Sequence, residues 1–142
     1  MRDGYALVER TPSVEDYLRL RTVAGMGRKS LEAAVSGLPN TLFAVVIEHE
    51  GRAVGMGRLV GDGALFLQVV DIAVEPAHQG RGLGKAVMAA LMVWTERHAL
   101  PGTYVSLIAD GEAKRLYAQY GFTETAPKSV GMARLFPVVD KA

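Results

Sequence analysis

Between Ala64 and His98 a largely apolar strand, a glycine-rich turn and a long helix follow one another without a break, and this succession constrains the chain more than any other feature. The turn reads Val74-Glu75-Pro76-Ala77-His78-Gln79-Gly80-Arg81-Gly82-Leu83-Gly84-Lys85. Glycines let backbone N–H groups approach a ligand closely, and the helix that follows offers unpaired N–H groups and the positive end of its dipole. Arg81 and Lys85 add two cationic side chains at the same place. The segment therefore reads as an anion seat suited to phosphate or pyrophosphate, with a plain strand-to-helix turn as the alternative.

Spacing discriminates among phosphate-binding turns. A P-loop needs four residues between its first Gly and its Gly-Lys pair, then Ser or Thr to hold magnesium, whereas three residues separate Gly80 from Gly84 and Ala86 follows Lys85. A dinucleotide fingerprint needs G-x-G-x-x-G, and here the third glycine comes one place early. What remains is Q-x-x-G-x-G, written as Gln79-Gly80-Arg81-Gly82-Leu83-Gly84.

The rest of the chain supplies a sheet and helices around this turn. Tyr5 to Glu9 reads as a strand, and Ser13 with Asp16 starts a helix that Gly25 ends. Ser30 to Ser36 gives a second, short helix. Thr41 to Glu48 and Ala53 to Val60 form a hairpin about Glu50-Gly51, and Ala64 to Val74 is a strand whose apolar run is interrupted by Gln68 and Asp71. Leu83, Val87, Ala90, Leu91, Trp94 and His98 recur at helical spacing, and Tyr104 to Ala109 is a further strand. Ala113, Leu116, Tyr117 and Tyr120 make a stripe on a last helix closed by Gly121. Phe122 to Thr125 and Gly131 to Val138 complete the expected set as two strands. The order is β-α-α-β-β-β-α-β-α-β-β, an α/β chain with a mixed sheet and helices on its faces, expected to form one domain over residues 1–142.

Composition closes off other functions. With no cysteine the chain has no disulfide, thiolate metal site or cysteine nucleophile, and His49, His78 and His98 lack metal-site spacing, so no metal is expected. Sixteen Lys and Arg against 15 Asp and Glu give a net charge of +1, no field for nucleic acid or an anionic membrane. The longest apolar run, Ala86 to Trp94, is far short of a membrane span. Met1 to Tyr5 has no apolar leader, so a cytoplasmic protein is expected.

With Asp71-Ile72-Ala73-Val74-Glu75-Pro76 before it, the Q-x-x-G-x-G turn resembles the acetyl-CoA-binding motif of the GCN5-related N-acetyltransferase (GNAT) superfamily. Leu116-Tyr117-Ala118-Gln119-Tyr120-Gly121-Phe122 is similar to that family's L-Y-x-x-x-G-F segment, and the element order agrees. The resemblance runs from Thr41 onward; the first 40 residues match in layout only. It implies the GNAT fold, a mixed and mostly antiparallel sheet with helices on both faces. It also implies that the backbone amides of Gly80, Arg81, Gly82, Leu83, Gly84 and Lys85 hold the CoA pyrophosphate, with Gln79 opening the turn. Ile72, Ala73 and Val74 would offer main-chain groups to the pantetheine arm. Where the family often has Asn, seven residues before the motif tyrosine, this chain has Asp110, which accepts but cannot donate a hydrogen bond and serves equally well as a helix N-cap.

The implied chemistry is direct attack of a neutral amine on the thioester of acetyl-CoA. A base must take the ammonium proton and an acid must protonate the leaving thiolate. Tyr117 matches the family's acid, although its apolar stripe also suits a core tyrosine. Asp71 is the candidate base, directly or through water, or else it only bonds a neighbouring loop. Gln68 falls near the position where some members carry a glutamate base, and Gln cannot act as one. His49, His78 and Glu75 read as surface residues. Arg19, Arg21 and Arg28 stand on the expected acceptor side, where they would meet an acidic group or simply solvent. A small primary amine is the expected acceptor. The rivals are a peptide or protein N-acetyltransferase and a non-catalytic acyl-CoA-binding module. Ala86 to Trp94 covers more than one helix face, which suits a homodimer or burial within the fold.

Overall fold

The computed structural model describes residues 3–139. Five strands form one sheet in chain order: β1 (Tyr5–Glu9), β2 (Phe43–His49), β3 (Arg52–Gly61), β4 (Phe66–Val74) and β5 (Tyr104–Ser106). The first four pair antiparallel and β4 pairs with β5 in parallel. This is the mixed, mostly antiparallel sheet expected from the sequence.

Local chemistry sets the ends of the elements. Ser13 caps α1 (Val14–Val23) by accepting from the Asp16 N–H at 3.1 Å, and Ser30 caps α2 (Leu31–Gly37) by accepting from the Ala33 N–H at 3.0 Å. Glu50 and Gly51 turn the β2–β3 hairpin with φ of 50° and 75°, the pair of positive values that matches strand twist in a two-residue loop.

Helices cover both faces of the sheet. On one, Tyr17 and Leu20 of α1 and Ala34 of α2 pack on Val46, Met56 and Ala73. On the other, Val87, Met88 and Leu91 of α3 (Leu83–His98) pack on Val45, Ile47, Leu59 and Val69. Leu20, Met56 and Leu91 are fully buried, each worth about 2 kcal/mol relative to exposure. Close approach of α3 depends on Gly57 in β3. A Cβ there would lie 2.4 Å from Val87 Cγ1 and 3.2 Å from Leu91 Cδ1.

A bulge in β4 prepares the site. Arg58 pairs with Val70 and Met56 with Ala73, so β4 carries one residue more than β3 across this interval. The extra residue is accommodated at Asp71, whose φ is 59°, a left-handed value that aspartate tolerates better than most residues. Val69 before the bulge and Ile72 after it both pack on the α3 side, while Ala73 packs on the α1 side. The bulge thus reverses the alternation along β4 and turns Asp71 toward α1.

The end of the chain departs from expectation. β5 is three residues long rather than extending to Ala109, and α4 (Lys114–Ala118) follows a 3-10 turn, Gly111–Ala113. The strands expected over Phe122–Thr125 and Gly131–Val138 do not form. A strand needs an edge to pair with, and β5 offers only three residues. Val130, Met132, Leu135 and Phe136 are all at least two-thirds exposed.

Candidate active site

β4 and β5 are joined only where Phe66, Leu67 and Gln68 face Tyr104, Val105 and Ser106; beyond that register they separate. Among the described residues, β4 from Val69 to Val74 has no strand on that side. A cavity of about 670 Å³ opens between the diverging strands. It is lined by Gln68 and Asp71 of β4, Ile108 and Asp110 after β5, Tyr117 of α4 and Arg21 of α1.

The glycine-rich turn stands at the end of β4. The Gln79 side-chain amide donates to the Val74 carbonyl at 3.0 Å, closing the turn on the strand it leaves. Gly80 and Gly82 have φ of 79° and 77°, and no atom lies within 4 Å of where a Cβ would stand at Gly80, Gly82 or Gly84. Gly82 is the N-cap of α3 and provides no side chain to cap it. The first N–H groups of the helix are thus left without a side-chain cap, and the glycines leave the space beside the turn open, as an anion seat requires. Lys85 and Arg81 are exposed beside it.

Behind the turn is a packed polar cluster. His78 Nδ1 is 2.6 Å from the Tyr5 hydroxyl, and the His49 ring stacks on Tyr5 at 4.3 Å between centroids. Glu75 is 8% exposed, paired with Arg19 and, at 2.9 Å, with Arg52. His78 and Glu75 are thus not the solvated surface groups expected. They tie the turn to polar partners on β1, α1 and β3, far away in sequence.

Tyr117 is half-buried at the mouth of the cavity. Burial, then the negative charge of Asp110, push its pKa above the usual 10, so its phenol stays protonated at neutral pH and can give a proton. The turn that follows its helix is tied to α3: the Tyr120 hydroxyl donates to the Lys85 carbonyl in the first turn of α3 at 3.2 Å. Asp110 occupies the N-cap position of the Gly111–Ala113 turn, but its side chain makes no capping bond.

Asp71 lies on the cavity floor, 8% exposed. Oδ1 accepts from Arg21 Nη1 at 2.5 Å; Oδ2 accepts from Arg58 Nη1 at 2.7 Å and from the Tyr17 hydroxyl at 3.0 Å. Desolvation, followed by the Asp71 charge and the bond to it, raises the Tyr17 pKa to about 12. Both oxygens of Asp71 are therefore engaged within the protein. Gln68 lines the same cavity and carries no group able to take a proton. Sequence reasoning missed Tyr17 and Arg58. The available signal was an arginine inside the otherwise apolar and glycine-bearing run Ala53 to Val60.

A family model described as an acetyltransferase (GNAT) domain matches residues 40–124. The chain belongs to the GNAT acetyltransferase family. It is 42% identical to the structure of the Staphylococcus aureus protein SA2161, described as a probable acetyltransferase, with a TM-score of 0.89 over 93% of this chain and 99% of that one. The Mycobacterium tuberculosis protein Rv2747, in complex with CoA and NLQ, has the same fold at 23% identity, with a TM-score of 0.63 over 82% of this chain and 72% of that one. Among curated relatives, serotonin N-acetyltransferase 2, chloroplastic, of Oryza sativa subsp. japonica is 41% identical over 85 residues, 60% of this chain and 34% of that protein. Histone acetyltransferase TAP1 of Glycine max is 26% identical over 128 residues, 82% of this chain and 54% of that protein. The chain spans about half the length of this last relative and about a third of the one before. Among the described residues, no helix is long and apolar enough to cross a membrane, and no group of three His, Asp or Glu could hold a metal ion.

Proposed function

We propose that this GNAT chain, acting as one catalytic domain, transfers the acetyl group of acetyl-CoA to the primary amine of a small molecule. The observation that carries the reading is continuity. The unpaired stretch of β4 and the phenol of Tyr117 border one cavity, and β4 runs on from it into the open glycine turn. The amides of residues 80–85 suit a pyrophosphate, and the main chain of Ile72, Ala73 and Val74 suits the amides of a pantetheine arm. Rv2747, with the same fold, is seen with CoA. The thioester would then reach the cavity beside Tyr117.

In this reading the neutral amine attacks the thioester carbonyl, the carbon–sulfur bond breaks, and the departing thiolate takes the proton of the Tyr117 hydroxyl. The ammonium gives one proton to water before the attack, and the proton that the acylated nitrogen sheds after it returns through water to the Tyr117 phenolate. Asp71 orders the cleft instead of taking that proton, because its oxygens are occupied by Arg21, Arg58 and Tyr17. Burial, then the charge of Asp110, holds the Tyr117 pKa above its usual value, and Asp110 lines the cavity that the amine would enter. A homodimer belongs to the proposal, supported by the exposed apolar side chains of Val130, Met132, Leu135 and Phe136, and sedimentation at twice the mass of the chain is the result expected of it. A cytoplasmic site of action suits a charged cosubstrate that does not cross membranes unaided.

Acetyl-CoA-dependent thiol release, measured across small amines, arylalkylamines, amino acids, polyamines and short peptides, tests the reading. Release with one class of small amine is expected. Release with peptides alone would replace it with a protein acetyltransferase, and tight acetyl-CoA binding without any release would replace it with a binding module.

A further inference from the structure

The α1 side of the cleft holds more positive charge than it balances. The side chains of Arg21 and Arg58 are 11% and 9% exposed, and they share one carboxylate, Asp71, itself 6% exposed. Two nearly buried guanidinium groups against one carboxylate leave a positive charge without a counter-ion, an arrangement that desolvation penalises. Arg21 is fully used: Nη1 donates to Asp71, and Nε and Nη2 donate to the Gly27 carbonyl. Arg58 is not. Its Nε donates to Thr41 Oγ1 at 3.0 Å and its Nη1 to Asp71, while Nη2 has no partner among the described residues. No buried side-chain nitrogen or oxygen there lacks a hydrogen bond, so this Nη2 is open to the cavity that Arg58 lines.

Lys29 lines the same cavity and makes no ion pair among the described residues. Tyr17, Lys29 and Arg58 also line a smaller recess of about 170 Å³, walled by Ala33, Ala34 and Leu38. They therefore stand where the two spaces meet. Asp110 and Tyr117 line the larger space alone. The cleft thus carries cationic groups at the recess, Arg21 and Asp71 along its floor, and an anionic group beside the phenol.

We infer that Arg58 Nη2 and Lys29 Nζ seat an anionic group of the acceptor, so that the acceptor is an amine bearing a carboxylate or a phosphate. A guanidinium edge with a lysine nearby recognises either anion through charge-assisted hydrogen bonds. The recess of Ala33, Ala34 and Leu38 takes an aliphatic group next to the anion, and the amine lies toward Asp110 and Tyr117. This inference rests on the acetyl-transfer reading of the same cleft.

Calorimetric titration tests the seat without turnover. The probes are N-acetylleucine, N-acetylleucinamide, which differs in lacking the charge, and O-phosphoethanolamine. N-acetylleucine or O-phosphoethanolamine is expected to bind at least tenfold tighter than the amide, and whichever binds tighter names the anion. Lys29→Glu, a change on an exposed side chain, is expected to remove most of that preference with the melting temperature unchanged. Equal or absent binding of all three probes, or a preference that survives both Lys29→Glu and Arg58→Gln, overturns the seat. Thiol-release kinetics separate the two readings. A tenfold lower KM for leucine than for leucinamide, with the KM for acetyl-CoA the same, supports both. Equal kcat/KM for the two removes the anion seat and leaves acetyl transfer standing. Charge discrimination in calorimetry with no thiol release from any amine removes acetyl transfer and leaves the seat.

Discussion

The chain up to Thr95 and the chain after it are built differently. Every buried side chain among the described residues lies at or before Thr95. Beyond it β5 has three residues, α4 has five, and residues 121–139 have no helix or strand. The first region holds the glycine turn between a full sheet and a 16-residue helix. The second holds Asp110 and Tyr117 and leans on the first through partial burial of Leu107, Tyr117, Tyr120 and Phe122 and the bond from Tyr120 to Lys85. A pyrophosphate seat must be fixed in advance, because its N–H groups work only when aimed together. A proton donor needs only to arrive beside the sulfur when the substrates are in place. On the proposed reading, cofactor binding falls to the rigid region and proton delivery to the one with few buried contacts.

The largest effect expected is at the junction of sheet and α3. Gly57→Val would drive new methyl groups into Val87 and Leu91, where a Cβ alone already overlaps. Overpacking of this kind costs about 3 kcal/mol. Thermal unfolding should report a large loss, and cofactor binding and turnover should fail together. A variant that melted like the parent would remove α3 packing as the basis of the rigid region.

Next in size is Gly82→Val. No neighbour crowds this position, so the fold should survive with the cost of a valine at φ 77°. The side chain would stand in the open space before the first N–H groups of α3, and acetyl-CoA binding by calorimetry should be lost. Normal affinity in that variant would move the cofactor off this turn. Against it, Tyr117→Phe should leave affinity for acetyl-CoA nearly unchanged and lower turnover by about tenfold or more. If turnover were undiminished, the second region would carry no chemistry.

The sequence was legible wherever the determinant was local. The glycine turn, the Ser13 cap, the short helix from Ser30 and the hairpin turn at Glu50-Gly51 each depend on a few adjacent residues, and each expected element formed. Asp71 stood out as a polar break in an apolar strand. Its surroundings did not, because the bulge depends on register against β3, and Tyr17, Arg21 and Arg58 reach it from distant segments. Glu75 and His78 were misread for the same reason, since their partners lie on β1, α1 and β3. The last two strands fail in the opposite sense. Gly131 to Val138 has the composition of a strand, but propensity acts only where an edge is available, and the three-residue β5 supplies little of one.

The smallest effect tests whether Tyr117 serves as the acid and whether Asp110 tunes it. Tyr117 is raised above 10 first by burial and then by the Asp110 carboxylate, which disfavours a second negative charge nearby. A phenol that must deliver a proton works while it is neutral, so turnover should hold below its pKa and fall as pH rises through it. Asp110→Asn removes the charge and leaves the burial. The alkaline limb of kcat should then move down toward 10 without reaching it, and the rate at neutral pH should change little. Tyr17, at about 12, stays neutral across this range and keeps its bond to Asp71, so the limb reads the other tyrosine. A limb that did not move would mean that Asp110 and Tyr117 are not electrically coupled. A limb that vanished in Tyr117→Phe but shifted in Asp110→Asn would tie both residues to one proton, and the difference between the two regions would then rest on chemistry as well as on packing.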